Sequence, residues 1–307
     1  MNSIEAMEKE IEFQKTFLTK ISLPKSVKPE SCLFVGNGDS FVAGLIAYYA
    51  SDSITRCYTP YDIISNPKIV QTDHAFLISI SGNIRSSVNA ARILKEKSIQ
   101  TTAITANRKS NLAKVCDNIL ELQYPSIGIS TAGTIGFTST TLTCLALIGR
   151  NLNKDISKIY DKAKKISKQF NSIIFKDRFY IFLAESMMYP LCIYGSLKIN
   201  EIFGYRSGFY HIDEFAHAPL FGIKSNDYLF ILGGNSLKRP ELKHLLNGGL
   251  NIAMIDIKGN PLEVLLTSIF IEQFIFLYQA KRNNLKECHF LKNKKYLKIS
   301  SNLIYCN

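Results

Sequence analysis

The amino-acid sequence predicts an α/β protein made of two similar units, each a parallel sheet flanked by helices. Short apolar runs alternate with helical patterns along nearly the whole chain, the signature of strands linked by crossover helices. The rhythm breaks once, in a lysine-rich stretch at residues 153–178 that carries no long apolar run. A length of 307 residues, at roughly 100–200 per domain, also makes about two domains.

The elements follow in order. The start, Met1-Asn2-Ser3-Ile4-Glu5, reads as an acidic amphipathic helix and lacks the basic start and apolar core of a signal peptide. Cys32–Val35 is the first strand; Gly36-Asn37-Gly38-Asp39-Ser40 follows it, and a helix begins at Phe41. Ala75–Ile80 repeats the pattern, ends in Ser81-Gly82-Asn83 and leads into a helix over Ser86–Lys97. Thr102–Thr105 precedes a helix at Asn111–Val115. Ile119–Leu122 precedes a Ser/Thr/Gly loop and an apolar helix over Thr140–Leu152. Lys154, Lys158, Lys162, Lys165 and Lys168 give a solvated helical face, where the domain junction is placed. Tyr180–Leu183, Asp227–Leu232 and Asn251–Ile257 are the strands of the second half, with helices from Tyr189 to about Phe203 and over Pro261–Lys281. The expected division is a helical extension at 1–30, a first unit at 31–165 and a second at 166–307.

Composition excludes several classes. With 46% apolar and 20% charged residues the chain is globular, and 17 Gly and 9 Pro exclude collagenous or low-complexity architecture. A formal charge of +12 permits nucleic acid, an acidic membrane surface or a phosphorylated small molecule as partner. The most apolar long stretch, Leu262–Ala280, carries Glu263, Glu272 and Gln273. No run of ~18 uncharged apolar residues is present, so neither a spanning helix nor a membrane partner is expected. Seven cysteines, odd in number and without Cys-x-x-Cys, and five histidines outside metal-ligand spacing predict a reducing, cytoplasmic compartment. They also predict no metal and no cofactor.

Two turns carry chemistry. Ser79-Ile80-Ser81-Gly82-Asn83 sets two hydroxyls around a glycine between strand and helix, where free N–H groups and the helix dipole suit phosphate. Ser86 and Ser87 add hydroxyls. The same residues equally make an ordinary turn with a serine cap. Gly36-x-Gly38-x-Ser40 is a second glycine turn; it lacks the dinucleotide pattern, since Phe41 occupies the third glycine's place. Lys198 and Glu201 share a helix face, and a lysine beside a carboxylate makes an acid–base unit or a plain surface bridge.

These residues resemble the sugar isomerase (SIS) superfamily, in two tandem units, and most closely its amino-sugar branch, the isomerase half of glucosamine-6-phosphate synthase. The first two turns resemble its sugar and phosphate loops, and Ala132-Gly133-Thr134-Ile135-Gly136-Phe137-Thr138-Ser139-Thr140 a third substrate loop. Met7–Ile11 with Gln14 resembles its opening helix. The most specific likeness runs from Tyr189-Pro190-Leu191 to Lys198-Ile199-Asn200-Glu201, then Glu214-Phe215-Ala216-His217-Ala218-Pro219. The resemblance implies a doubly wound, flavodoxin-like sheet in each unit. It implies that Ser79, Ser81 and Ser87 hold phosphate, and that Ser40 and Ser139 contact the sugar. Glu201 is implied as the acid/base between C1 and C2, assisted by Lys198. The resemblance further implies that His217 opens the ring from a neighbouring subunit of a homodimer, and that Lys298 is the active-site lysine of the C-terminal tail. His217 also fits a buried structural histidine, and Lys298 a solvated charge.

Departures point to an altered pocket. Ile84 stands where the family has Thr, Asp39 replaces another Thr and is expected to face sugar hydroxyls, and the third loop is one residue short. Ala184-Glu185-Ser186 replaces a glycine-rich turn, Tyr194 replaces a Glu, and Ala218 replaces a Gly. No glutaminase half is expected. The implied activity is isomerisation or deamination of a hexose or hexosamine 6-phosphate, of the glucosamine 6-phosphate/fructose 6-phosphate type. The phosphoglucose/phosphomannose isomerase branch is the alternative. A sugar-phosphate sensor is the alternative of another class, but the helix-turn-helix of such regulators needs ~70–80 residues ahead of the first strand, so no nucleic-acid partner is expected.

Overall fold

The computed structural model describes residues 1–152, 155–173, 175–233, 240 and 242–306. The strands are β1 Cys32–Gly36, β2 Arg56–Tyr58, β3 His74–Ile78, β4 Gln100–Thr105, β5 Asn118–Glu121, β6 Tyr180–Ala184, β7 Ser207–His211, β8 Tyr228–Gly233 and β9 Asn251–Asp256. The helices are α1 Ser3–Phe17, α2 Asp39–Ala50, α3 Pro60–Ser65, α4 Arg85–Glu96, α5 Asn111–Val115, α6 Ile135–Leu147 and α7 Ile156–Ser167. They continue as α8 Tyr189–Lys198, α9 Ile212–His217, α10 Leu242–Leu246, α11 Pro261–Arg282, α12 His289–Lys292 and α13 Lys294–Ile304.

Two compact units result. One comprises residues 21–125, 135–151 and 294–307; the other comprises 1–20, 126–134 and 152–293. These are not the consecutive segments 1–30, 31–165 and 166–307. An amphipathic helix joins whichever apolar face covers it: α1 and α7 pack on α11, in the second unit. The tail instead pairs with the first, through an antiparallel bridge between Ile84 and Tyr305.

The first unit holds a parallel sheet in the order β2-β1-β3-β4-β5. All five residues of β1 are buried, as an unbroken apolar run requires of a strand covered on both faces. Leu33, Val35, Ala75 and Leu77 on β1 and β3 meet Val88, Ala91 and Leu94 of α4 in the core. The helix expected at Thr140 starts at Ile135. Thr140 Oγ1 donates to the Gly136 carbonyl (2.7 Å) and Thr143 Oγ1 to that of Ser139 (2.8 Å). These two hydroxyls are satisfied by the helix's own carbonyls and so do not interrupt it.

The second unit holds a parallel sheet in the order β7-β6-β8-β9. In both sheets the second strand flanks the first on one side and the third flanks it on the other. The chain thus reverses its lateral direction between β1 and β3, and again between β6 and β8, at the carboxyl ends where ligands of such sheets bind. Helix α11 is long and apolar enough to cross a membrane, but 78% of its most apolar window is buried within the protein, which makes it a core helix.

Candidate functional site

The seryl turn lies in the first unit, at the carboxyl end of β3. Gly82 N–H donates to the Ser79 carbonyl (3.0 Å) and to Ser79 Oγ (3.1 Å), and Asn83 N–H to Ser81 Oγ (3.3 Å). Gly82 has φ +65°, and a Cβ there would fall 2.0 Å from Ser110 Oγ, so the turn requires glycine. The start of α5 fastens it: Asn111 N–H donates to Asn83 Oδ1 (3.1 Å) and Leu112 N–H to the Gly82 carbonyl (2.9 Å). Asn37 Nδ2, from the turn after β1, donates to Ser86 Oγ (3.2 Å) and ties the two turns together. Helix α4 has Ile84 as its N-cap, with no side-chain cap. The N–H groups of its first turn, at the positive end of the dipole, thus donate no hydrogen bond to the side chain of the cap residue.

The hydroxyls differ in exposure. Ser81 is half-buried, Ser79 is 4% exposed, and Ser87 is buried with no protein partner for its Oγ. Asp39 is the first residue of α2, and Ser40 the second, half-buried. Ser139 is buried within α6, its Oγ also without a protein partner. The tail runs along the seryl turn. Cys306 N–H donates to the Asn83 carbonyl (3.0 Å), and Arg85 Nη2 to that of Tyr305 (2.7 Å). Lys298 is exposed on α13, and its side chain makes no hydrogen bond or ion pair among the described residues.

The Lys198–Glu201 pair lies in the second unit. Pro190 opens α8 within its first turn, and Lys198 closes it. The chain continues as a π-helical turn, Ile199–Phe203, ended by Gly204 at φ +71°, where a Cβ would press into the His289 ring at 2.5 Å. Such wide turns recur at functional sites. Lys198 Nζ lies 2.5 Å from Glu201 Oε2; the lysine side chain is 1% exposed and the glutamate 39%. An ordinary surface bridge would expose both ends, so this is a buried ammonium holding an accessible carboxylate.

His217, the last residue of α9, is exposed and makes no side-chain hydrogen bond or ion pair among the described residues, which rules out a buried structural role. Sequence reasoning missed a cluster at the ends of β6 and β7. Glu185 Oε1 accepts from Ile212 N–H (2.9 Å), its Oε2 lies 3.2 Å from His211 Nδ1, and the His211 ring stacks on Tyr189 at 3.7 Å. Glu185 was visible as a departure, but β7, which places His211, carries no apolar run to announce it. All seven cysteines are free, and burial pushes Cys32 and Cys116 up to about 12, which makes them packing residues. Among the described residues no three His, Cys, Asp or Glu side chains cluster as metal ligands.

Residues 27–150 match the family model of the SIS domain. The chain carries a SIS domain. That SIS domain includes β1–β5, the seryl turn and the turn after β1. The chain is 26% identical over 271 residues to the isomerizing glutamine–fructose-6-phosphate aminotransferase of Buchnera aphidicola subsp. Baizongia pistaciae (strain Bp), covering 78% of this chain and 42% of that protein. It thus spans less than half the length of the curated relatives it matches. Among solved structures it resembles glucosamine-6-phosphate deaminase of Thermotoga maritima (TM-score 0.70, 19% identity, 92% of this chain and 93% of that one). It also resembles the C-terminal domain of glucosamine-fructose-6-phosphate aminotransferase of Francisella tularensis (TM-score 0.68, 19% identity, 92% and 98%). At that identity the likeness is one of fold: parallel sheets flanked by helices, beyond the bounds of the SIS domain match.

Proposed function

We propose that this chain is a cytoplasmic sugar-phosphate enzyme of two SIS units that isomerises or deaminates a hexose or hexosamine 6-phosphate. The observation that carries the reading is the Lys198–Glu201 pair, a carboxylate 39% exposed and held at 2.5 Å by a buried ammonium. Moving a proton between C1 and C2 needs one base that takes it from one carbon and returns it to the other without leaving its place. A carboxylate fixed on a helix end does this whether C2 bears oxygen or nitrogen.

The other assignments follow. Ser79, Ser81 and Ser87, beside the uncapped start of α4, receive the phosphate. Ser40, Asp39 and Ser139 contact the sugar. His217, exposed on α9, opens the ring of a sugar bound to a second copy in a homodimer, and Lys298 acts from the tail. The strand order shared by the two sheets supports the second SIS unit.

A panel of hexose and hexosamine 6-phosphates tests this, assayed for fructose 6-phosphate and for released ammonia. Turnover with ammonia identifies a deaminase, and turnover without it an isomerase. Binding of sugar phosphates with no turnover of any of them would overturn the enzyme reading in favour of a sensor.

A further inference from the structure

The side chain beneath Lys198 belongs to no function assigned so far. Tyr194 lies one helical turn before it on α8 and is fully buried. Lys198 Nζ stands 5.1 Å from the centroid of the Tyr194 ring, in reach of an attraction that strengthens when the cation is removed from water. The tyrosine hydroxyl donates to the Gly133 carbonyl (2.7 Å). That carbonyl is itself fastened. Thr131 Oγ1 and Thr134 Oγ1, on either side of it, each donate to Glu10 Oε2 at 2.6 Å, and Glu10 is 7% exposed on α1. One turn further along α1, Gln14 Nε2 donates to Gln273 Oε1 of α11 (2.7 Å). A continuous run of buried contacts thus leads from α1, through the 131–134 turn, to the ring that supports the ammonium.

We propose that Tyr194 is the positioning residue of the Lys198–Glu201 pair: its ring, oriented by the Gly133 carbonyl, supports the ammonium so that the charge is directed at Glu201. The role rests on the reading of that pair as the proton-transfer group. A ring face suits the task because it attracts a cation without accepting a proton from it. Glu10 acts one step further out, by holding the turn that orients the ring.

Two measurements test the proposal separately. The first needs no substrate. In full-length protein labelled at lysine Cε, the methylene protons of Lys198 should resonate upfield of the other lysines, shifted by the ring beneath them. Lys198→Arg should remove that signal, which assigns it. Tyr194→Phe should keep it upfield, and Tyr194→Leu should return it to the crowd. Absence of an upfield lysine signal from the unsubstituted protein overturns the proposal, whether or not the leucine variant folds. The second is kinetic, on whichever sugar phosphate is turned over. Tyr194→Leu should lower kcat roughly 10- to 100-fold with KM little changed, since a displaced acid–base group harms the step rather than the binding. Tyr194→Phe should restore most of the loss. Equal losses in both variants, or a loss confined to KM, would reduce Tyr194 to packing. If Glu201→Gln left turnover intact, the reading of the pair would fall, while the lysine signal would still judge the tyrosine.

Discussion

The seryl turn and the acid–base helix are built on opposite plans. The turn is made of contiguous residues: Gly82 sets its shape, Ser79 and Ser81 close it internally, and its free groups are N–H and hydroxyl. The helix end is made of two charges whose setting is only partly local: Tyr194 lies one turn away, but Gly133 and Glu10, which hold it in turn, come from far along the chain. Binding an anion needs many small dipoles pointing one way, and a helix start supplies them in order. Moving a proton needs one charge kept out of water beside another left in reach of it. Residues adjacent in sequence rarely provide that, because a buried charge has to be surrounded.

Under the proposed function the two regions act on different kinetic constants. Glu201→Gln keeps shape and hydrogen bonding but removes the basic oxygen. It should lower kcat by ~10²–10⁴, with KM little changed, in steady-state assays on the active sugar phosphate. A raised KM at undiminished kcat would mean that the helix binds rather than transforms. Ser81→Ala breaks the turn at its half-buried hydroxyl and leaves the buried Ser79 in place. One hydrogen bond to a charged group is worth ~1.5–3 kcal/mol, so KM should rise about 10- to 100-fold with kcat held. Titration calorimetry with the same sugar phosphate should show the same loss, and an unchanged affinity would place the phosphate elsewhere.

Each plan also sets how much could be read in advance. The turn was legible as a whole, since its glycine, its hydroxyls and its flanking elements all lie within one short stretch. The pair was legible as two residues on one helix face, but its burial was not. Nothing local to Lys198 marks it as a lysine with 1% exposure. The π-helical turn was equally hidden: Tyr189–Phe203 reads as one continuous helix, and Gly204 marks where it ends but not how it is wound. Among strands, β1, β3, β6 and β8 announce themselves as buried apolar runs, while β2 and β7 are half-exposed edge strands containing Arg56 and Ser207-Gly208, and escape the pattern. The arrangement of α1 and α7 on α11 depends on which apolar face is vacant in three dimensions, which no single segment states.

The two regions also rest on different supports, and pH should separate them. The turn packs on Ser110 and Thr105, which are neutral at any ordinary pH. Helix α8 packs at Gly195 on Phe182 and Glu272; a Cβ there would lie 2.5 Å from the Phe182 ring and 2.9 Å from Glu272 Oε1. Glu272 is 1% exposed, and neither carboxyl oxygen has a protein hydrogen-bond partner. Burial pushes its carboxyl well above the ordinary value of 4.5, so the folded chain keeps a proton that the unfolded chain loses. The stability tied to that proton is fully present below the ordinary value and declines as pH rises toward the folded one, by at most about 1.4 kcal/mol per pH unit. Glu272→Gln cannot ionise. Its melting temperature should therefore fall less steeply than the parent's as pH rises above about 5, with a gap that widens with each unit. Amide exchange, corrected for its intrinsic pH dependence, should rise along α8 of the parent and not in the seryl turn. Parallel melting curves for the two proteins would show that Glu272 is already ionised in the folded chain, and the contrast between a titratable and a neutral support would be lost.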